Sequence, residues 1–470
     1  MMKQFEAVVV GAGPAGMAAA LELSKHEVNT AVIDEAEAPG GQIYRPIPAV
    51  FKVTATKRMT HRQRTGRRLT QAFLQPNEKL TIFAQSAVWG SFEPHSLEVL
   101  HKDRIFKLAY DKLIICEGAN ERFIPFPGWT LPGVMSIGGI QKLLRHQRLI
   151  PGKQILLAGS GPLLIAAAAE LIQSGANMAG VLEAAKLLEG LPLLSEMFRQ
   201  KGLLGESIAH AIPLLKNRKL FRQRTCIVEA HGKDRVEAAT ICQLDDDWRP
   251  VAASEKVVKT GAVGIGFGFK PGARLSRLCG CKHIFDSKKG GFFPVVDAYQ
   301  AADRADIYVA GDAAGIGGAA LAEIQGRIAG LHAAYSLGRI SKNRFGSLIQ
   351  PLLNSKEKVA RYSRKLEQIY TPRDALYQTI TPETIICRCE GVTAGELWEQ
   401  MGKGRLDLTS LKPARLGMGP CQSRGCESIT AELLRLEGVD PHMIKPLGLR
   451  PPLIPMPISV FEKNNDEVSL

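Results

Sequence analysis

The feature that most constrains the fold is a strand, a glycine-rich turn and a helix near the start of the chain, FEAVVVGAGPAGMAAALEL. Gly11, Gly13 and Gly16 have the GxGxxG spacing of a dinucleotide-binding turn. In such a turn the first glycine permits the bend, the second lets backbone approach a pyrophosphate, and the third allows close helix–strand packing. The helix N-terminus, at Pro14 and Ala15, offers free N–H groups to phosphate. We therefore expect a nucleotide site here.

GxGxxG alone is a weak signal, and its surroundings decide its meaning. A second strand, TAVIDE, ends at Glu35, whose carboxylate can bind ribose hydroxyls. Far along the chain, ADIYVAGDAAG is another apolar strand, which ends in Gly311 and Asp312. Because Asp312 can hydrogen-bond the ribityl chain of a flavin, the two segments together favour FAD over NAD.

These paired segments resemble the flavoproteins with two dinucleotide-binding domains, which include thioredoxin reductase and the glutathione-reductase type. The match runs over about residues 5 to 340 and includes PGGQIYR, LIICEGANERFIPFPG and GAVGIGFGFKP. The resemblance implies an α/β fold and an FAD site that also uses Gly41, Gln42, Val88 and Gly118.

That family commonly pairs its flavin with a redox-active dithiol. The two segments where it would lie, GQIYRPIP and GVMSIGGIQ, contain no cysteine. Disulfide reduction is therefore excluded, and we expect the electrons of the flavin to leave by another route.

A second unit, KQILLAGSGPLLIAAAAELIQSGANMAGVLEAA, repeats the strand–turn–helix–strand pattern with Gly159 and Gly161. Leu164 replaces the third glycine, and its side chain is expected to push the helix away from the strand. Glu183 suits a ribose diol and would repel a 2′-phosphate, so NAD fits better than NADP. Use of NAD(H), binding of another adenine nucleotide without redox chemistry, and an empty structural domain are all compatible with the sequence.

Two close cysteine pairs lie near the C-terminal end, in IICRCEG and GMGPCQSRGCES, and comprise Cys387, Cys389, Cys421 and Cys426. Residues two apart in an extended segment point the same way, so the first pair can aim at one metal atom. Thr393 and Glu396 have capping-box spacing and predict a helix just after that pair. Gly425 is expected to provide a tight turn between the second pair of sulfurs.

Four thiolates in two pairs suit a 2Fe–2S cluster or one zinc ion, and unligated thiols are the third possibility. Zinc sites favour two to four residues between paired cysteines, so the single spacer argues against zinc. The segment resembles the bacterioferritin-associated ferredoxin family, although its CxxxxC pair is wider than in the short ferredoxin. The resemblance implies a 2Fe–2S cluster on these four cysteines. Cys279 and Cys281 lack a second pair nearby, and the remaining cysteines fall in apolar runs where buried thiols are expected.

Composition limits the cellular setting. The N-terminus lacks a signal-peptide pattern, and the most apolar run is interrupted by glycine and too short to span a bilayer, so a cytoplasmic protein is expected. In that reducing compartment the nine cysteines are expected to be thiols or ligands and not structural disulfides. The net charge of +14 is densest at KRMTHRQRTGRR, residues 57–68. This basic segment fits a solvated face, an acidic docking partner, or contact with phosphate or a membrane surface, and it does not by itself indicate nucleic acid.

The predicted organisation interrupts one domain with another. Its parts are an FAD-binding domain (1–120 and 262–345), a second dinucleotide-like domain (121–261), a helical connector (346–377), a cluster domain (378–440) and a proline-rich tail (441–470). The tail is expected to lie along a partner or to be disordered.

The combination of these motifs resembles the α subunits of heteromeric amine dehydrogenases. That group includes the α subunits of opine oxidase, of D-hydroxyproline dehydrogenase and of dye-linked proline dehydrogenase, and the flavoprotein subunit of hydrogen cyanide synthase. The resemblance implies a β subunit similar to D-amino-acid oxidase that oxidises the C–N bond, and a downstream electron acceptor. It also allows a further small subunit and membrane association through the complex. No catalytic residue is assigned in this chain. His61 and Arg45 are the nearest candidates, but no spacing of residues supports a catalytic role, and a lone histidine in a basic run is more often a solvated surface residue.

Two other classes of function are compatible with the sequence. An NADH-dependent reductase would need a working second dinucleotide site. A zinc-stapled assembly subunit would need the four cysteines to hold zinc instead of iron and sulfide.

Overall fold

A computed structural model describes residues 2–46, 51, 60–190, 192–199 and 202–461. In chain order, its strands are β1 (Met2–Val10), β2 (Thr30–Ile33), β3 (Leu80–Phe83), β4 (Ser86–Gly90), β5 (Ser96–His101), β6 (Arg104–Ile115), β7 (Ala119–Glu121), β8 (Val134–Ser136), β9 (Ile155–Gly159), β10 (Met178–Glu183), β11 (Phe221–Gln223), β12 (Thr225–His231), β13 (Ala238–Gln243), β14 (Lys256–Lys259), β15 (Ala262–Gly266), β16 (Phe269–Pro271), β17 (His283–Asp286), β18 (Gly291–Pro294), β19 (Ile307–Val309), β20 (Ile385–Cys387) and β21 (Val392–Thr393). The α-helices are α1 (Pro14–Ser24), α2 (Gly41–Tyr44), α3 (His61–Phe73), α4 (Ile137–Gln147), α5 (Pro162–Gln173), α6 (Leu193–Arg199), α7 (Leu203–Lys216), α8 (Arg274–Leu278), α9 (Ala319–Ser336), α10 (Lys342–Tyr370), α11 (Ala394–Gly402) and α12 (Glu427–Leu436).

The first sheet carries the first glycine turn. Its strand order is β3-β2-β1-β6-β5-β4, and β19 also pairs with β6. Strands β3, β2, β1, β6 and β19 are parallel, and β5 and β4 extend the sheet in antiparallel fashion. Strand β19 therefore brings the Gly311–Asp312 segment, which is distant in sequence, to the same sheet as β1.

Helix α9 crosses α1 through small residues. A Cβ on Gly326 would overlap the carbonyl oxygen of Ala15, and a Cβ on Gly330 would lie 2.6 Å from the carbonyl oxygen of Ala19. Glycine at both positions lets the two backbones approach closely. This packing fixes the N-terminus of α1 against the segment that contains Asp312.

The second sheet is parallel, with order β11-β10-β9-β15-β8. Because β15 pairs with β9 and β8, residues 262–266 belong to the second dinucleotide domain. The predicted return to the flavin domain at residue 262 is therefore wrong by about one strand. The crossover lies at the antiparallel pair of β7 and β16, which joins the two domains.

The connector and the cysteine domain share one core with the second domain. Helix α10 contains Pro351 within its span and begins a few residues earlier than predicted. Thr393 and Glu396 form the predicted capping box at the start of α11, which is confirmed. The shared core contains Ala184 from the second domain, Phe285 from β17, and Leu397 and Leu433 from the cysteine domain.

The described part of the tail packs on the first domain, which corrects the expectation of a disordered segment. Leu453 and Val460 are buried, and the Leu453 N–H donates to the carbonyl oxygen of Trp89 at 2.7 Å. The Trp89 and Phe461 rings meet edge-on with centroids 5.8 Å apart. Residues 462–470, and residues 57–59 of the basic segment, lie outside the described residues.

Candidate functional site

The first glycine turn has the close backbone approaches that its spacing predicts. Gly11 has a φ of +101°, and a Cβ there would overlap the carbonyl oxygen of Cys116. A Cβ on Gly16 would overlap the carbonyl oxygen of Gly11, so α1 can pack on β1 only with glycine at this position. Gly13 differs, because its φ is −76° and a Cβ there would come no closer than 3.8 Å to the Gly41 Cα. The fold does not require glycine at position 13, so a requirement there would come from a bound group such as a pyrophosphate.

An acidic residue that the sequence motifs did not single out closes this turn. Asp34 Oδ2 accepts a hydrogen bond from the Ala12 N–H at 2.5 Å, and its Oδ1 accepts one from the Ala36 N–H at 2.7 Å. Glu35, the residue predicted to bind ribose, is exposed. Strand β2 ends at Ile33, so Asp34 is the first acid after the strand and binds the turn, and ribose binding by Glu35 stays a prediction. A one-residue uncertainty in the strand boundary hid Asp34.

The GGQ segment lies across the first turn. Gly40 has a φ of +126°, and its N–H donates to the Ala12 carbonyl oxygen at 2.8 Å. A Cβ on Gly41 would lie 3.0 Å from the Gly13 Cα, so the two segments approach closely only with glycine at position 41. Gln42 is exposed in the first turn of α2. The structure therefore brings Gly41 and Gly13 together, as the FAD assignment expects.

The distant Gly311–Asp312 motif reaches the same place. A Cβ on Gly311 would lie 2.8 Å from the Cβ of Ala15, at the N-terminus of α1. Asp312 Oδ1 accepts hydrogen bonds from the N–H groups of Gly317 and Gly318, at 2.9 and 3.1 Å. Burial raises the pKa of Asp312, while these two bonds oppose the shift. The side chain thus organises the loop that leads into α9.

The other two predicted flavin residues border this region. Val88 lies in β4, two residues after Ser86, whose N–H donates to the Asp34 carbonyl oxygen at 2.9 Å. Gly118 has a φ of +73°, and its carbonyl oxygen accepts a hydrogen bond from the Gly272 N–H at 2.8 Å. The residues present therefore fit an FAD: a glycine turn, an acid at the strand end, and two further glycine segments that converge on it.

The second glycine turn holds an acid inside it. Glu183, the last residue of β10, accepts hydrogen bonds from the Gly161 and Ala185 N–H groups, both at 3.0 Å. It is only 2% exposed, and burial raises its pKa to about 7. Leu164 is fully buried in a core formed by α4, α5 and β9, together with Ile140 and Leu157. Leu164, which replaces the third glycine of the motif, is thus a core residue of the second domain.

The four cysteines come together as two pairs. The Cys387 thiol is hydrogen-bonded to that of Cys426, and the Cys389 thiol to that of Cys421. The bond from Cys426 and backbone N–H groups, one of them from Gly417, lower the pKa of Cys387 to about 5. Each cysteine of the first pair thus contacts one cysteine of the second pair, and the expectation that Cys387 and Cys389 bind one metal atom stays a prediction.

The second cysteine loop turns at residues other than the predicted glycine. Gln422 and Ser423 have φ angles of +47° and +64°, while Gly425 is not among the positive-φ residues. Cys426 is the N-cap of α12, so its sulfur lies beside a helix N-terminus, where negative charge is stabilised.

The four thiols supply the kind of donors that a thiolate-ligated metal centre needs. Across the described residues, no three His, Cys, Asp or Glu side chains are grouped as ligands of one metal ion. A 2Fe–2S cluster takes four thiolates. Cys387, Cys389, Cys421 and Cys426 would hold it. Cys279 and Cys281, in contrast, have pKa values that burial raises to about 12.

Helix α12 is fastened to the rest of the chain by three buried cations. Lys270 donates to Ser428 Oγ at 3.0 Å and to the carbonyl oxygen of Arg424 at 2.8 Å. Arg277 forms two hydrogen bonds with Glu427, at 2.7 and 2.8 Å. Arg122 pairs with Glu432 at 3.1 Å and also donates to Tyr377 Oη. The loop and helix that carry Cys421 and Cys426 are therefore held firmly against β16, α8 and the Arg122 segment.

The fold and these sites define an oxidoreductase of the flavin type, with two dinucleotide-binding folds and an appended cysteine domain. The chain belongs to the pyridine nucleotide-disulphide oxidoreductase family, which matches residues 5–338. The redox dithiol of its disulfide-reducing members is absent from the segments GQIYRPIP and GVMSIGGIQ.

Proteins similar to this chain match it over nearly its whole length. Hydrogen cyanide synthase subunit HcnB of Pseudomonas aeruginosa is 33% identical over 475 residues, covering 98% of this chain and 99% of the relative. An opine oxidase subunit of Agrobacterium tumefaciens is 32% identical over 469 residues, covering 96% and 90%. The predicted resemblance to these subunits is confirmed.

A solved structure shares the fold. The crystal structure of L-proline dehydrogenase from P. horikoshii superposes with a TM-score of 0.69 at 19% identity, covering 98% of this chain and 80% of that chain. The likeness therefore includes the region of the cysteine domain as well as both dinucleotide folds. In the described part of this chain, no helix is long and apolar enough to cross a membrane.

Proposed function

We propose that this chain is the electron-transfer subunit of a heteromeric dehydrogenase that oxidises an amino acid or secondary amine. The substrate class is an opine, D-hydroxyproline, proline or glycine. A D-amino-acid-oxidase-like β subunit oxidises the C–N bond, and this chain passes the electrons to an acceptor, in a cytoplasmic complex that allows a further small subunit.

One observation carries this proposal. The cysteine pairs are fastened by Lys270, Arg277 and Arg122 to segments that adjoin the first glycine turn through Cys116 and Gly118. A buried, doubly bonded ion pair is a strong way to keep two parts of a protein at a constant separation. Electron transfer between two centres requires such a constant separation, whereas a passive assembly surface does not.

The described residues fit two carriers. Gly11, Gly13, Asp34, Gly41 and Asp312 would hold FAD, and the four cysteines would hold a 2Fe–2S cluster. When bound, these groups would supply a two-electron carrier and a one-electron carrier. The chain's own residues bind and orient them: Glu427 fixes the start of α12, and the Gly417, Glu390 and Cys389 N–H groups face the Cys387 sulfur.

Catalysis of amine oxidation belongs to the partner in this proposal. Such chemistry requires a shaped pocket that holds the substrate C–H bond over a flavin. The names of the relatives, subunits of hydrogen cyanide synthase and of opine oxidase, support a multi-subunit enzyme.

The test is expression of this chain with and without a D-amino-acid-oxidase-like partner. Opines, proline, hydroxyproline, glycine and sarcosine are screened with an artificial dye as the acceptor. Activity is expected only in the complex. Cys389→Ser in the complex should abolish dye reduction while substrate still reduces the flavin of the partner. Robust turnover by the isolated chain would show that it is a catalytic subunit instead of a relay.

A further inference from the structure

The second dinucleotide-binding fold is covered by side chains of this chain. We propose that Tyr370 and Glu183 close its glycine turn to nucleotides, so that nicotinamide dinucleotides neither bind there nor reduce the flavin. The family to which the chain belongs is described by its pyridine nucleotide, and the residues present do not fit one. The closure itself does not depend on the proposed function. Its consequence, that electrons reach the flavin from a partner protein, rests on that proposed function.

The two glycine turns differ in which backbone N–H group is bound by the carboxylate at the end of the second strand. Asp34 is half-buried and binds the N–H of Ala12, the residue between the first two glycines. Glu183 is one methylene longer and binds the N–H of the second glycine itself, Gly161. That glycine is the part of the turn that meets a pyrophosphate. The carboxyl oxygen therefore occupies a donor that a nucleotide would need.

Tyr370, the last residue of α10, covers the same turn from outside. A Cβ on Gly161 would lie 3.6 Å from the Tyr370 ring, and a Cβ on Gly190 would lie 3.8 Å from its hydroxyl. The ring is thus in van der Waals range of the backbone along which a pyrophosphate would lie. Among the described residues, no comparable side chain stands over Gly13, where the nearest atom to a Cβ is a glycine Cα at 3.8 Å.

The covering residue is held in place on both sides. Lys365 Nζ, on α10, pairs with Glu196 at 3.0 Å, and Arg373, just beyond the helix, pairs with Glu189 at 3.3 Å. The Arg373 guanidinium also lies over the ring of Trp248, 5.5 Å from its centroid. Two ion pairs and a cation–π contact to the second domain favour a fixed cover over a transient lid.

The adenosine side of the fold is filled as well. Ala184 and Ala185 directly follow the acid that would bind ribose, and both are fully buried in the core that contains Leu376 and Tyr377. The same helix α10 reaches the flavin motif, because Ser363 Oγ donates to the Gly317 carbonyl oxygen at 3.0 Å. The second dinucleotide-binding fold therefore provides the surface on which the connector packs. The connector runs from the Asp312 loop to the cysteine domain.

The experiment uses flavin-saturated protein, so that the first site is occupied, and compares wild type with Tyr370→Ala and Tyr370→Phe. ADP-ribose binding is measured by calorimetry, and flavin bleaching by NADH is followed anaerobically. Wild type and Tyr370→Phe, which keeps the ring, are expected to show no saturable binding below about 1 mM, the upper end of ordinary substrate affinities. Tyr370→Ala is expected to bind ADP-ribose at least about tenfold more tightly than wild type, equivalent to about 1.4 kcal/mol.

Three outcomes would overturn the closure. They are saturable ADP-ribose binding by wild type, rapid bleaching of its flavin by NADH, and a folded Tyr370→Ala protein that gains no binding. Tyr370→Leu, which keeps apolar contact, provides a milder variant with an intermediate gain if the alanine variant loses its flavin. These measurements need no partner subunit. The closure of the second fold can therefore be disproved while partner-dependent turnover is still observed, and the proposed function can be disproved while the closure holds.

Discussion

Arg277 forms a two-point ion pair with Glu427, with nitrogen–oxygen distances of 2.7 and 2.8 Å, across the boundary between the flavin half and the cysteine domain. Both side chains are buried, at 9% and 8% exposure. Glu427 Oε1 also accepts the Leu447 N–H at 2.7 Å. Because Glu427 follows Cys426 directly, this pair fixes the start of the helix beside the cysteine pairs.

Removal of one partner should loosen that boundary. Arg277→Met leaves the Glu427 carboxylate buried without its cation, which costs about 3–5 kcal/mol in comparable pairs. We expect faster hydrogen exchange and proteolysis in α12 and a lower unfolding midpoint. Lys403→Met, which removes the exposed Lys403–Glu399 pair, is the control and should change nothing measurable. Equal behaviour of the two variants would show that the buried pair does not hold the domains together.

The first glycine turn separates cofactor binding from folding. Gly13→Val adds a side chain where the protein leaves room but a pyrophosphate would need backbone, so folded, flavin-free protein is expected. Gly16→Ala places a Cβ against the Gly11 carbonyl oxygen, so the fold itself should be destabilised. Flavin absorbance and circular dichroism distinguish the two results. Full flavin content in Gly13→Val would contradict the placement of the site.

Two alanine variants, at Asp34 and at Glu35, can show which acid at the end of β2 contributes to FAD binding. Asp34→Ala removes the acceptor for the Ala12 and Ala36 N–H groups, and unmade buried hydrogen bonds cost about 1–3 kcal/mol. FAD affinity should therefore fall in Asp34→Ala and change little in Glu35→Ala, as titration of each apoprotein with FAD would measure. The opposite order would assign ribose binding to Glu35 and leave Asp34 with a structural role in the turn.

Local patterns predicted the local parts of this molecule. Glycine spacing identified both turns, and the Thr393–Glu396 spacing identified the start of α11, because each depends on residues within one element. The boundary error at residue 262 arose since strand β15 reads as an apolar run that either sheet could accept.

Long-range packing was the part that local patterns could not give. Tyr370 at Gly161, Leu453 at Trp89 and Arg277 at Glu427 join residues that are far apart in sequence. Such contacts depend on how whole elements dock, and no short spacing encodes them.

Glu183 should make stability depend on pH. Its pKa rises from 4.5 to about 7 in the folded protein, chiefly through burial. Between these values the folded chain holds a proton that the unfolded chain has lost. The resulting stabilisation is complete below about pH 4.5 and is lost as pH rises through about 7, an effect of about 3 kcal/mol. Thermal unfolding of wild type and Glu183→Gln at pH 5 and pH 8 measures it, since only wild type should show this loss. Parallel pH profiles would mean that the carboxyl titrates normally.

The final prediction is that the two cysteine pairs bind a 2Fe–2S cluster. Cys387 and Cys426 are buried while Cys389 is exposed, yet all four should be needed if they hold one cluster. Anaerobically prepared protein is expected to contain equal iron and acid-labile sulfide, and Cys389→Ser and Cys426→Ser should each lose both while keeping FAD. Cys279→Ser is the control, because Cys279 belongs to the other CxC and should leave iron unchanged. Cys426→Ser should also lower stability more than Cys389→Ser does, since Cys426, unlike Cys389, lies in the core shared with Leu397 and Leu433. Stoichiometric zinc without iron would replace the electron carrier by a structural staple and remove the relay on which the proposed function depends.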